Sequence, residues 1–328
     1  MMPDTGPDKA PEAELEPAAG FVPGLVTKAQ SGFFRVHTAE GDFVCHLRGR
    51  LKQRRQSSAL AAVGDRVEIS LQADGQGMIE RVAPRIRVLS RRAPGGYGRG
   101  GVRADSGAEQ VLVANPDQVI YVFACAQPAP RLRMLDRFLV VAEVNHLPAV
   151  IAANKADLAT PAQAQALFGI YERLGYPVLY TSAAGGQGIE ALRATVRGKV
   201  SVLAGPSGVG KSSLLNALQP GLGLLAKAVS QATFKGRHTT VFPELLPLTE
   251  GGYVADTPGI RALGLWDVEP EELDGYFVEI KPYVDQCEFN DCLHITEPGC
   301  AVRRAVAEGA ITSSRYESYV KLRQGDDD

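Results

Sequence analysis

The sequence predicts an α/β domain built on a parallel sheet, with a small β-barrel before it and a short helical metal-binding unit after it. Three observations carry that reading. Continuous apolar runs alternate with helix-period segments between residues 118 and 255, five short strand-like runs crowd residues 26–82, and three of the chain's five cysteines fall between Cys287 and Cys300. At 328 residues the chain is long enough for two or three modest domains, each with its own core.

Composition narrows the class. Apolar residues make up 45% and charged residues 22%, the balance of a soluble globular protein. No apolar run approaches the roughly 20 residues that a bilayer-spanning helix needs. The start is acidic and proline-rich (Asp4, Asp8, Glu12, Glu14, Glu16) and lacks the basic and apolar segments of a secretory signal. A cytoplasmic, monomeric protein without a membrane partner is therefore expected. An odd number of cysteines does not read as a disulfide framework.

Taken in order, residues 1–20 lack apolar periodicity and read as a disordered tail. Residues 21–90 carry the strand-like runs Val26–Ala29, Phe33–Val36, Phe43–Leu47, Arg66–Leu71 and Met78–Val82. Five such strands suit a small barrel. The OB-fold is the commonest barrel of this kind that binds nucleic acid, and a purely structural barrel fits the pattern nearly as well. Residues 91–110 are rich in glycine and arginine and read as a mobile linker. Seven arginines (Arg81, Arg85, Arg87, Arg91, Arg92, Arg99, Arg103) occur there and just before, with no acid among them. They are either a solvated loop or a surface for a phosphate backbone.

Residues 111–266 change rhythm. Gln118–Ala126 and Ala149–Ala153 are unbroken apolar runs, as strands buried on both faces should be. Val178–Thr181, Val200–Ala204 and Tyr253–Ala255 continue the series. Helical patterns at Leu132–Asn145, Pro161–Leu174, Ile189–Arg197 and Lys211–Leu218 lie between.

The chemistry begins at Gly205-Pro206-Ser207-Gly208-Val209-Gly210-Lys211-Ser212, which fits the P-loop pattern in full. It follows an apolar strand and opens a helix from Ser213, so its backbone N–H groups and the positive helix end can cradle phosphates. Lys211 would reach the β and γ phosphates and Ser212 would bind Mg²⁺. Asp256-Thr257-Pro258-Gly259 ends another strand. Asp256 suits the second Mg²⁺ contact, and Gly259 can offer its N–H to the γ-phosphate. Asn154-Lys155-Ala156-Asp157 ends a third strand, and the Asp157 carboxylate can accept from guanine N1–H and the exocyclic amine. Adenine has neither donor and would leave that carboxylate unpaired. Ser182-Ala183, also at a strand end, can place a backbone N–H on guanine O6. Taken together the four segments predict GTP or GDP bound with Mg²⁺.

Their order is permuted. The guanine-reading pair precedes the P-loop and the Mg²⁺ turn, which a sheet tolerates because chain ends lie at the surface. Between P-loop and Mg²⁺ turn lies Lys235-Gly236-Arg237-His238-Thr239-Thr240, the place for a first switch in which Thr239 or Thr240 closes on Mg²⁺. Ile260 occupies the position where Ras-like enzymes carry a water-orienting Gln. His238 is a candidate to place the water, and a binding contact to phosphate is an equal reading. Further on, Cys287-x4-Cys292-x-His294-x5-Cys300 is a Cys3His set of the kind that holds structural Zn²⁺. Cys45 and Cys125 sit in strand patterns and read as core residues.

These segments, with Ala114-Asn115-x-Asp117-Gln118, Gly264-Leu265-Trp266 and Arg315-Tyr316-x-Ser318-Tyr319, resemble the circularly permuted GTPases of small-ribosomal-subunit biogenesis, the RsgA or YjeQ family. The resemblance runs from about Gly24 to Leu322. It implies an OB-fold (21–90), a permuted P-loop GTPase domain (111–266) and a zinc-binding helical domain (267–328). It further implies a GTP hydrolase that acts on the small ribosomal subunit and its rRNA. A GTP-dependent switch with a non-ribosomal client is the competing reading.

Overall fold

The computed structural model describes residues 20–49, 60–73, 75–92, 96–97, 103–104, 109–223, 244–256 and 269–325. The tail, Arg99, and the segments holding His238, Thr239, Thr240, Gly259, Ile260 and Trp266 lie outside these residues.

Five strands, β1 (Val22–Gln30), β2 (Phe33–Thr38), β3 (Gly41–Leu47), β4 (Arg66–Leu71) and β5 (Gly77–Val82), close a barrel in the order β1-β2-β3-β5-β4. Alternation decides which side chains point inward: Phe34, Val36 and Thr38 of β2 are buried, while Phe33, Arg35 and His37 face out. Closure comes from the parallel pairing of β3 with β5. Val26, Cys45, Val67, Ile69 and Ile79 complete the core, where burial pushes the Cys45 thiol up to about 11. Cys45 is thus the core residue its strand pattern predicts.

The described residues on either side of the glycine- and arginine-rich stretch, and two short pieces within it, are strands. β6 (Val88–Arg92) pairs antiparallel with β9 (Glu109–Ala114), and between them β7 (Gly96–Tyr97) pairs with β8 (Arg103–Ala104). Three of the arginine run have internal partners. Arg81 bonds Glu68, Arg85 forks onto the fully buried Asp65, and Arg87 donates to the His146 carbonyl. Those side chains hold the barrel together and tie it to the next domain. The Asn115 and Asp117 segment acts at the same junction: Asn115 bridges Ile86 N–H and the Gly64 carbonyl, and Asp117 accepts from Val200 N–H.

The main sheet has the order β12-β11-β10-β13-β15-β14. Its strands are β10 (Gln118–Ala124), β11 (Ala149–Asn154), β12 (Val178–Tyr180), β13 (Val200–Ala204), β14 (Leu245–Pro247) and β15 (Tyr253–Asp256). All pairs are parallel except β14–β15, which places an antiparallel strand at one edge. The central β10 is buried along its whole length. Its Val119, Tyr121 and Phe123 enter one core and its Ile120, Val122 and Ala124 the other. Helices α1 (Leu132–Val144) and α2 (Pro161–Arg173) cover the first face, α3 (Ile189–Val196) and α4 (Lys211–Leu218) the second. Thr160 and Gln163 form a reciprocal cap at the start of α2, with Pro161 at its first position.

The C-terminal unit holds a 3₁₀ turn (Pro270–Tyr276), α5 (Lys281–Val284), α6 (Ala301–Ala307) and α7 (Ser313–Arg323). Its core of Leu273, Phe277, Ile280, Val302 and Tyr319 includes Val140 of α1, so the unit is packed onto the α/β domain.

Candidate active site

The parallel strands end together. The register places Ala204 beside Tyr121, Asn154 beside Ala124, Tyr180 beside Ala153 and Asp256 beside Leu203. The P-loop, the Asn154–Asp157 segment, the Thr181-Ser182-Ala183 turn and Asp256 therefore share the carboxyl edge of one sheet, where open α/β sheets bind ligands.

The P-loop is shaped by its glycines. Gly210, the residue before α4, has φ +97°, and a Cβ there would lie 2.4 Å from Asn154 Nδ2. Gly205 has φ +150°, and a Cβ there would meet the Val122 carbonyl oxygen at 2.2 Å. A side chain at either position would clash with these neighbours and force the loop to shift. Lys211 Nζ lies 2.8 and 2.9 Å from the Gly205 and Pro206 carbonyls, arched back over the loop. Ser207, Gly208, Ser212 and Ser213 are exposed at the open end, and Val209 is buried beneath.

Asn154 joins the Asn154–Asp157 segment to the P-loop. It is buried, donates to the Val209 carbonyl at 2.8 Å, and accepts from Thr181 Oγ1 at 3.2 Å. Asn154 thus ties the end of β11 to the P-loop and to the Thr181 turn. Lys155 takes the left-handed conformation at φ 58° and donates to the Gln127 carbonyl. Ala156 N–H bonds the Thr181 carbonyl, linking the Asn154–Asp157 and Thr181–Ala183 segments, and Asp157 is exposed in the 3₁₀ turn there. Burial, and after it the Asp157 charge, push the Cys125 thiol up, so Cys125 is a core residue beside the site. Ser182 Oγ accepts from Gly185 N–H and shapes the turn that carries Ala183.

Gln127 and Pro128 belong to no nucleotide motif of the sequence. They follow β10 and border the P-loop, a Cβ at Gly208 lying 3.8 Å from Pro128 Cδ. The prolines at the end of an apolar strand were the available signal.

The Cys3His set converges as its spacing predicts. The four donor atoms lie within 4.8 Å of one another. Cys287 Sγ is 3.9 Å from Cys300 Sγ, and His294 Nδ1 is 3.5 and 3.4 Å from those sulfurs. Four ligands about 2.3 Å from a tetrahedral Zn²⁺ stand roughly 3.8 Å apart, so the donors present fit the ion. His294 Nε2 faces Asp274 Oδ2 at 3.1 Å, the second partner a metal-bound imidazole commonly has. Burial would raise the Cys287 thiol, but the N–H groups of Ala301 and Val302 hold it below its usual range. Burial pushes Cys292 up to about 12, a proton that a bound ion displaces.

Residues 101–266 match the family model described as RsgA GTPase, and residues 23–79 match the one described as RsgA N-terminal domain. The chain belongs to the RsgA GTPase family. A relative from Gemmatimonas aurantiaca, named small ribosomal subunit biogenesis GTPase RsgA, is 50% identical over 304 residues, covering 92% of this chain and 96% of its own. One of the same name from Moorella thermoacetica is 43% identical over 297 residues, covering 90% and 94%. Among solved structures, YjeQ from Thermotoga maritima superposes with a TM-score of 0.75 at 39% identity over 93% of this chain and 98% of that one. YloQ, described as a circularly permuted GTPase, gives 0.71 at 29% identity over 95% and 97%. The family assigns the chain its reaction, GTP hydrolysis, and the motif order on the sheet is the permuted one. Among the described residues no helix is long and apolar enough to cross a membrane.

Proposed function

We propose that the chain binds the small ribosomal subunit and couples GTP hydrolysis to its late maturation. One observation carries this most: four guanine-nucleotide segments meet at one sheet edge, in a chain whose near-full-length relatives are named for small-subunit biogenesis. Gly205 to Ser213 would hold the phosphates, Asn154, Lys155, Ala156 and Asp157 the base together with Ser182 and Ala183, and Ser212 and Asp256 the Mg²⁺. Mg²⁺ supplies charge neutralisation at the β and γ phosphates, and the Lys211 ammonium adds to it. From sequence, Thr239 or Thr240 would close on the ion and Gly259 on the γ-phosphate. Ile260 has no group to orient water, so His238 would do so only when the first switch is held in place. Zn²⁺ at Cys287, Cys292, His294 and Cys300 would be structural, since four protein ligands leave no open position.

The barrel would take rRNA, and the protein would act as a cytoplasmic monomer. A sedimentation assay tests the proposal. The chain should co-migrate with purified small subunits in a non-hydrolysable GTP analogue and dissociate in GDP. Equal co-migration in both nucleotides would remove the coupling, and none in either would return a non-ribosomal client.

A further inference from the structure

The barrel touches the α/β domain at a charged contact that the reaction leaves unexplained. β1 pairs with β4 only through Val22 to Leu25, which leaves its later edge open. There Lys28 forms an isolated bridge to Glu244, the residue before the edge strand β14. Lys28 Nζ lies 2.7 Å from Glu244 Oε2, and Arg35 Nη1 lies 3.3 Å from Oε1. One carboxylate, 12% exposed, therefore holds two barrel cations that are themselves 37% and 49% exposed.

Those cations belong to a recognisable surface. On the outward stripe of β2, Arg35 is followed toward the hairpin by Phe33, 51% exposed. The Phe33 ring sits 4.5 Å from that of His46 across the β2–β3 pair. Lys28, Phe33, Arg35 and Val44 line a cavity of about 410 Å³. Exposed rings beside cations are what single-stranded nucleic acid uses, its bases stacking while its phosphates are neutralised. The outer face of strands 2 and 3 is also where OB barrels bind oligonucleotides.

Glu244 has a second neighbour. β14 and β15 pair Leu245 with Ala255, so one step further along the ladder Glu244 stands opposite Asp256, at the strand end assigned to Mg²⁺. Glu244 therefore sits between the barrel cations and that strand end.

We propose that Glu244 is an electrostatic latch: RNA phosphates and Glu244 compete for Lys28 and Arg35, and this competition links RNA on the barrel to the nucleotide site. The latch rests on the reading that the barrel takes RNA. Because binding linkage is reciprocal, nucleotide must change RNA affinity by the factor with which RNA changes nucleotide affinity.

The test uses the full chain, a fluorescent single-stranded RNA of mixed sequence, and a fluorescent GDP, at low salt. Glu244→Gln keeps the shape and removes the competing charge. It should bind the RNA about fivefold more tightly, the size of two partly exposed ion pairs. The effect of RNA on GDP affinity, present in the parent, should disappear in this variant. Glu190→Gln, which removes a charge from α3 away from the barrel, should match the parent in both respects. RNA affinity unchanged in Glu244→Gln, or raised equally in Glu190→Gln, overturns the latch alone. Failure of the parent to bind RNA, or displacement of the RNA by polyglutamate at equal charge, overturns the RNA reading and the latch with it.

Discussion

Arg315 should be among the most destabilising positions in the chain, although no nucleotide motif includes it. Its guanidinium is 3% exposed and reaches Asp136 Oδ1 at 2.6 Å and Glu279 at 2.6 and 3.1 Å. It lies 4.7 Å from the centre of the Phe277 ring and 5.8 Å from that of Tyr171. The two carboxylates raise its basicity despite burial, so it stays charged. Asp136 belongs to α1 and Glu279 to the C-terminal unit, so the cation joins the two. Arg315→Met leaves both acids buried without a cation, a loss of about 3–5 kcal/mol for broken buried pairs. Tyr171 and Ser318 still donate to Asp136 and place the cost at the lower end. At about 2–4 °C per kcal/mol for a domain of this size, the melting temperature should fall by roughly 10 °C. Calorimetry with chemical denaturation measures it, and Asp136→Asn completes a double-mutant cycle. The two losses should fall short of additivity by at least about 1 kcal/mol. A shift below about 2 °C, or strict additivity, would refute the argument.

Other consequences follow from the site. Asp157→Asn replaces an acceptor by a donor opposite guanine N1–H and should shift preference from guanine to xanthine nucleotides, read by competition binding; unchanged GTP affinity would refute the assignment. Lys211→Ala should lower GTP turnover by orders of magnitude, since that ammonium offsets charge on the transferring phosphoryl group. Freshly purified protein should contain zinc by elemental analysis. Cys292→Ala should lose the zinc and melt earlier, because the ion contributes folding free energy directly; a metal-free parent of equal stability would contradict this.

Much of the architecture could be read locally. Lys211–Leu218 is helical over the residues its pattern marks, and the unbroken run from Gln118 is the buried central strand. A glycine-rich turn between strand and helix, or four ligands within 14 residues, is a short-range arrangement that spacing can encode. β14 escaped notice because three residues ending in Pro247 carry no alternation. β6 and β9 straddle the edges of the glycine- and arginine-rich stretch, and their pairing buries Leu89 and Val113, which lie just outside it. Contacts between distant segments left no local trace at all. Arg315 reaches Asp136 across 179 residues and Lys28 reaches Glu244 across 216. In neither case does the sequence around one partner point to the other. The same holds for Arg85 within the arginine run, since the buried Asp65 that holds it lies 20 residues upstream.

On the proposed function, hydrolysis answers to the ribosome. GTP turnover measured with and without purified small subunits, at low salt and with binding confirmed by sedimentation, tests it most directly. Ile260 cannot hydrogen-bond the attacking water, so the isolated chain should be slow. Subunits should stimulate it, and the stimulation should fade as salt rises, because phosphate contacts release counterions. Equal turnover with and without bound subunits would contradict the account.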